Sequence, residues 1–148
     1  MKTEKTIAIE AVAEEDVPGL YGLLSASGLP LDGLDGHLSA ALVAKEDGQI
    51  VGSAALEIYG ESALLRSVAV AQPLRGTGLG RQLVEATLEA ARSRQIQRLY
   101  LLTETAAEWF PRFGFVPIER IAVEPAVQQS VEFTAACPTS AQAMKKEL

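Results

Sequence analysis

Apolar residues recur along the chain at two periods, and the change between them marks out the elements. Ile7 to Val12 is an apolar stretch of strand length, and Glu14-Glu15-Asp16 then places negative charge where a helix would begin. Val17, Leu20, Tyr21 and Leu24 follow helical spacing until Gly28 and Pro30 stop it. Residues 31–40, punctuated by Gly and Asp, read as a loop or a short helix. Leu42 to Lys45 and Ile50 to Tyr59 read as strands joined through Asp47-Gly48, the dipeptide best suited to a tight hairpin. A second turn at Gly60-Glu61 leads into a third strand, Ala63 to Val70.

Beyond Val70 the period becomes 3.6, with Leu79, Leu83, Leu88 and Ala91 on one side of a helix predicted to run to about Arg94. Leu99 to Leu102 reads as a strand, Thr105 to Arg112 as a short helix ended by Phe113-Gly114, and Phe115 to Ile118 as extended chain. In the tail, Pro125 to Ala136 reads as a helix broken by Pro138, and Ala141 to Leu148 as a strand or a helix. Hairpins in front and one crossover behind predict a mixed α/β sheet.

The length of 148 residues predicts one domain over 1–148, enough to bury about two thirds of its unfolded surface. With 48% apolar residues, 22% charged, and no apolar run near the ~20 residues a bilayer span needs, neither disorder nor a membrane is expected. A net charge of −6 repels phosphate backbones and argues against a nucleic-acid partner. Cys137 stands alone, and Met1-Lys2-Thr3-Glu4-Lys5-Thr6 has no hydrophobic stretch of a signal peptide, so a cytoplasmic location is expected. With His37 as the single histidine, no metal site is expected, and Cys/His or Ser/His nucleophiles are disfavoured.

The most informative segment runs from Ser67 to Arg81, where a strand feeds a three-glycine loop that opens into a helix. Glycine permits close backbone approach and a helix start carries free N–H groups, so this is an anion cradle. A P-loop needs Lys-Ser/Thr after the last glycine, but Arg81-Gln82 follows Gly80. A Rossmann site needs Gly-x-Gly-x-x-Gly straight off the strand, whereas here Gly-x-Gly-x-Gly follows Pro73 and a longer connection. A nucleotide-dependent oxidoreductase is therefore a distant alternative, kept by Glu104 after the next strand.

Arg75-x-x-Gly78-x-Gly80 after a Val-x-Val strand resembles the acyl-CoA loop of the GNAT N-acetyltransferases. Ala107-Glu108-Trp109-Phe110-Pro111-Arg112-Phe113-Gly114-Phe115 resembles that family's later motif. The resemblance implies a GNAT fold, a splayed, mostly antiparallel mixed sheet flanked by helices, and a direct acetyl-CoA-dependent N-acetyltransferase. Acetyl-CoA would lie between Ala63 to Val70 and Leu99 to Leu102. Backbone at Val68, Ala69 and Val70 would align its pantetheine arm, while Arg75, Gly76, Thr77, Gly78, Leu79, Gly80 and Arg81 would hold the pyrophosphate, with Phe110 alongside.

Many members carry a tyrosine where this chain has Phe110. Tyr59, Tyr100 or Thr105 would then assist the thiolate, or it leaves through water, or the protein is a non-catalytic acyl-CoA sensor or interaction module. Glu104 and Glu57 are candidate bases. Arg66, which alternation places on one face with Leu64, Val68 and Val70, needs either a structural carboxylate such as Glu57 or the acid group of an acceptor.

The tail Ser130-Val131-Glu132-Phe133-Thr134-Ala135-Ala136-Cys137-Pro138-Thr139-Ser140-Ala141, with Leu65-Arg66-Ser67-Val68 and Tyr100 to Ala106, resembles the arsenic-resistance acetyltransferases of the ArsN type. That resemblance implies a small-molecule amine acceptor, an acidic amino acid analogue of arsenical or phosphinate type held by Arg66 and Ser67. An ordinary amino acid, a polyamine and a peptide N-terminus are the alternatives. It also admits a homodimer.

Overall fold

The computed structural model describes residues 6–148, apart from the side chains of Ala135 and Ala136. The leader expectation at Met1 to Lys5 falls outside the described residues. Strands β1 (Ile7–Ala11), β2 (Ala41–Glu46), β3 (Gln49–Tyr59), β4 (Ser62–Val70), β5 (Arg98–Thr103), β6 (Val116–Ile118) and β7 (Gln142–Glu147) form one sheet in the order β1-β2-β3-β4-β5-β7-β6. All neighbouring pairs are antiparallel except β4 and β5. This is the mixed, mostly antiparallel α/β sheet expected. Asp47 (φ 52°) and Gly48 (φ 77°) are both left-handed, as a two-residue hairpin whose twist matches its strands requires.

Helices α1 (Val17–Ala26) and α2 (Leu79–Ser93) cover opposite faces of the sheet. The buried side chains of α2, Leu79, Leu83, Val84, Leu88 and Ala91, pack with Ala54, Leu56, Leu65, Leu101 and Met144 into the main core. Leu20, Leu23 and Leu24 of α1 pack with Val43, Ala55 and Ala69 on the other side. The tail extends that second face, setting Val123 and Val127 against Leu64, Tyr100 and Ala143.

Three expectations are corrected. Between Thr105 and Arg112 there is no continuous helix: the Ala106 N–H is capped by Thr103 Oγ1 at 2.9 Å, and only Phe110–Phe113 forms a 3-10 turn, ended at Gly114 (φ 93°). The helix expected over Pro125 to Ala136 is broken at Ser130 (ψ 141°) into a 3-10 turn, Val127–Gln129, and a wide π turn, Glu132–Ala136. Ser130 Oγ accepts the Glu132 N–H at 3.2 Å and so favours the break. The last segment, open between strand and helix, is strand β7, inserted between β5 and β6.

The third correction concerns alternation in β4. Ser53 pairs with Ala69 but Ala55 pairs with Arg66, so Ser67 and Val68 together oppose Ala54. This is a β-bulge, and one extra residue turns every later side chain to the other face. Leu64 therefore lies on the tail side, while Val68 and Val70 pack against the α2 core. Arg66 does not share a face with the two valines.

Candidate active site

The parallel pair β4 and β5 is matched only from Ser62–Arg98 to Leu64–Tyr100, and beyond it the strands part. A cavity of about 700 Å³ opens there, walled by Leu65 to Val70 of β4 and by Leu101 to Ala106 at the end of β5 and just beyond it. Its lining includes a loop group, Leu74, Arg75, Gly76, Gly78, Gly80 and Arg81, with Trp109, Phe110 and Arg112 beside it. It also includes a polar group, Arg66, Ser67, Glu132 and Cys137, with Ser27 to Pro30 nearby.

The bulge aims a donor at this cavity. Ser67 adopts a left-handed conformation (φ 59°), rare for a residue with a side chain, and its carbonyl accepts the hydroxyl of buried Ser53 at 2.7 Å. Because the peptide is planar, the Val68 N–H at its other end is directed away from Ser53 and β3, and the register gives it no strand partner. The Val70 carbonyl accepts Arg75 Nε at 3.0 Å, which draws that side chain across the strand end.

In the glycine loop, Gly76 (φ 82°) and Gly78 (φ 92°) require the left-handed region, and a Cβ on either would meet no protein atom. The N–H groups of Gly76, Gly78, Leu79, Gly80 and Arg81 have no protein acceptor among the described residues, whereas Arg75 and Thr77 donate to Gln72 and Leu74 carbonyls. The expected cradle thus narrows. Thr77 does not line the cavity, its hydroxyl bonding the Leu74 carbonyl at 2.6 Å, and the Leu79 side chain is in the core. Arg75 and Arg112 give the rim local positive charge against the net −6, with Arg112 stacked 5.8 Å over Trp109, while Arg81 beside them is paired with Glu85 at 2.9 Å. Free backbone donors, a helix start and three arginines beside a narrow gap fit the pyrophosphate and amides of an acyl-CoA. Among the described residues no cluster of His, Cys, Asp or Glu is placed to hold a metal, and no helix is long and apolar enough to cross a membrane.

The polar group is a buried network. Arg66, with no side-chain exposure, donates through Nη1 to Glu57 (2.7 Å) and the Asp32 carbonyl (2.7 Å), through Nη2 to the Pro30 carbonyl (3.0 Å), and through Nε to Ser67 Oγ (3.1 Å). Of the two partners weighed for Arg66, the carboxylate Glu57 is in place. Glu57 also accepts the Tyr59 hydroxyl at 2.5 Å, and neither residue lines the cavity. Burial raises the Glu57 pKa, but hydrogen bonds from Tyr59, Arg66 and Ser130 outweigh it and hold the carboxyl below its usual range. Burial and Glu57 push the Tyr59 phenol to about 12. A locked carboxylate and a phenol bound to it, both off the cavity, are unsuited to the base and acid roles expected of them. Tyr100 is likewise enclosed among Leu64, Val123 and Ala143. Glu104 and Thr105 do line the cavity and are exposed, and Phe110 lies in its wall, edge-on to Phe115.

Sequence reasoning missed Glu132. It is 4% exposed and lines the cavity, with Oε2 3.4 Å from Arg66 Nε. Burial is the main cause that pushes its carboxyl up to about 7; Arg66 and the Cys137 thiol oppose the rise, and Glu57 and Asp32 add to it. Cys137 is half-buried and raised to about 12 by burial and Glu132. The π turn joins the pair, since the Cys137 N–H returns to the Glu132 carbonyl at 3.1 Å. Only the segment's polar residues inside an apolar tail signalled it.

Residues 37–117 match the family of acetyltransferase (GNAT) domains. An amino-acid acetyltransferase of Aeromonas salmonicida is 32% identical over 120 residues, 74% of this chain, which spans 27% of that relative's length. Rv2747 of Mycobacterium tuberculosis, crystallised with CoA and NLQ, superposes with a TM-score of 0.80 at 27% identity, over 95% of this chain and 99% of that one. N-acetylglutamate synthase of Neisseria gonorrhoeae, complexed with coenzyme A and N-acetyl-glutamate, superposes with a TM-score of 0.82 at 22% identity, over 99% of this chain and 36% of that one.

Proposed function

The chain belongs to the GNAT acetyltransferase family, and on that premise we propose that it transfers the acetyl group of acetyl-CoA directly to the α-amine of a small acidic amino acid. The observation that carries this reading is the parted β4 and β5, flanked by Val68 and by the free N–H groups of the glycine loop. Acetyl-CoA supplies the activated thioester. The loop amides with Arg75, Arg81 and Arg112 hold its phosphates, and the backbone at Val68 and Val70 aligns the pantetheine arm as an added strand. Alignment of amine and thioester, together with the Val68 N–H beside the carbonyl oxygen, supplies the main rate gain. No tyrosine lines the cavity, and a thiol of pKa ~8.5 leaves with help from water or Thr105.

The acceptor class is supported by the Aeromonas amino-acid acetyltransferase and by the ligands of the two crystallised neighbours. The ArsN-type resemblance extends it to arsenical and phosphinic analogues of glutamate, and with them to arsenic resistance. Arg66 has one Nη2 hydrogen beyond that given to Pro30, and it and Ser67 are the groups here that would meet an acceptor carboxylate. Thiol release from acetyl-CoA against glutamate, glutamine, arsinic and phosphinic glutamate analogues, polyamines and peptides tests the reading. Turnover on the glutamate-like amines is expected. CoA binding with no thiol release on any amine would make the protein an acyl-CoA sensor instead.

A further inference from the structure

An acceptor amine reaches the cavity as an ammonium and attacks only once a proton has left it. Glu57 and Glu132 flank the same guanidinium yet sit in opposed environments. Glu57 accepts short hydrogen bonds from Tyr59 and Arg66 and is closed off from the cavity, whereas Glu132 lines it and meets Arg66 Nε only at 3.4 Å. Two acids whose surroundings push them apart mark a division of roles, one fixed as an anion and one free to exchange a proton. The adjacent guanidinium and carboxyl also complement the head group of an amino acid, whose carboxylate and ammonium share one carbon.

We propose that Glu132 is a catalytic residue, the group that takes the proton from the acceptor's ammonium, with Glu57 as a positioning residue that acts through Arg66. The inference rests on the acetyltransferase reading above. One N–H bond of the ammonium breaks and its proton passes to the Glu132 carboxylate. The freed nitrogen pair forms the C–N bond to the thioester carbon, and the C–S bond breaks with its electron pair on sulfur. The second nitrogen proton goes through water to the thiolate, and Glu132 returns the first to solvent. No oxidant or further reactant is needed. The charged and titratable groups facing Glu132 are Arg66 and Glu57 from the sheet, Asp32 from the loop after α1, and Cys137. A carboxyl near 7 exchanges protons at neutral pH.

The test compares the pH dependence of kcat/KM for wild type and Glu132→Gln on the best amine of the panel, with CoA affinity measured alongside. An acid limb near neutral pH is expected in wild type. In Glu132→Gln it disappears, with kcat lowered roughly 100-fold or more and CoA affinity kept. A Glu132→Gln enzyme that keeps the limb within a few-fold of wild-type rate overturns the proposal, as does a limb abolished by Glu104→Gln instead. Should Glu132→Gln fail to fold, Glu132→Asp decides: a carboxyl withdrawn by one methylene must lower kcat while keeping the acid limb and the CoA affinity, and an unchanged kcat overturns the assignment. A wild type silent on every amine overturns the acetyltransferase reading itself, and so is distinguished from failure at Glu132.

Discussion

Glu132 is buried in a chain whose other acids are mostly solvated, and its pH behaviour follows from that placement. Its carboxyl is raised from the usual 4.5 to about 7, so between those values the folded protein binds more protons than the unfolded chain. Stability must then fall as pH rises through that window, by about 3 kcal/mol in all. Glu57 is lowered and acts in the opposite sense, its contribution being lost only as pH falls below 4.5. Thermal unfolding across this range should show wild-type stability declining toward neutral pH and Glu132→Gln without that decline, hence the more stable of the two above pH 7. A slope shared by both proteins would place the titrating group elsewhere. Arg66 was legible in the sequence as an arginine needing an anion. That Glu132 supplies a second one was not, because the tail reaches β4 only through tertiary packing.

At the scale of elements, hydrophobic periodicity located both long helices and the strands β1 to β6, while β7 stayed open between strand and helix because its segment is short and half polar. The glycine loop was legible for the same reason, since its positive-φ residues stand between a strand and a helix of opposite period. The β4 bulge was not, because one extra residue leaves the apolar alternation looking unbroken while reversing its faces. Ser53 fixes that bulge, and Ser53→Ala would leave the buried Ser67 carbonyl without its donor. The expected result is a loss of about 1–3 kcal/mol together with weaker acetyl-CoA binding, and unchanged affinity would separate the bulge from the site. Gly52 sets the distance between β3 and α2, since a Cβ there would lie 2.6 Å from Leu83 Cδ1 and 3.3 Å from Ala44 Cβ. Denaturant titration of Gly52→Ala should show a loss of about 1–3 kcal/mol from overpacking, and a neutral result would mean that α2 moves freely on the sheet.

For the whole molecule, the described strands pair in one sheet that parts between β4 and β5, and the free N–H groups of the glycine loop lie beside that parting. On the reading proposed above, the parted strands, the bulge and the glycine loop would together receive a long, anionic, amide-bearing ligand. The polar network around Arg66 completes the cavity where the acceptor would sit. The most direct measurement is a titration of acetyl-CoA followed by backbone amide NMR. The largest shifts are expected at the N–H groups of Val68, Gly76 and Gly78 to Arg81, with β1, β2 and the outer face of α1 unmoved. Saturable binding whose shifts lie elsewhere, or no binding of acetyl-CoA at all, would contradict it.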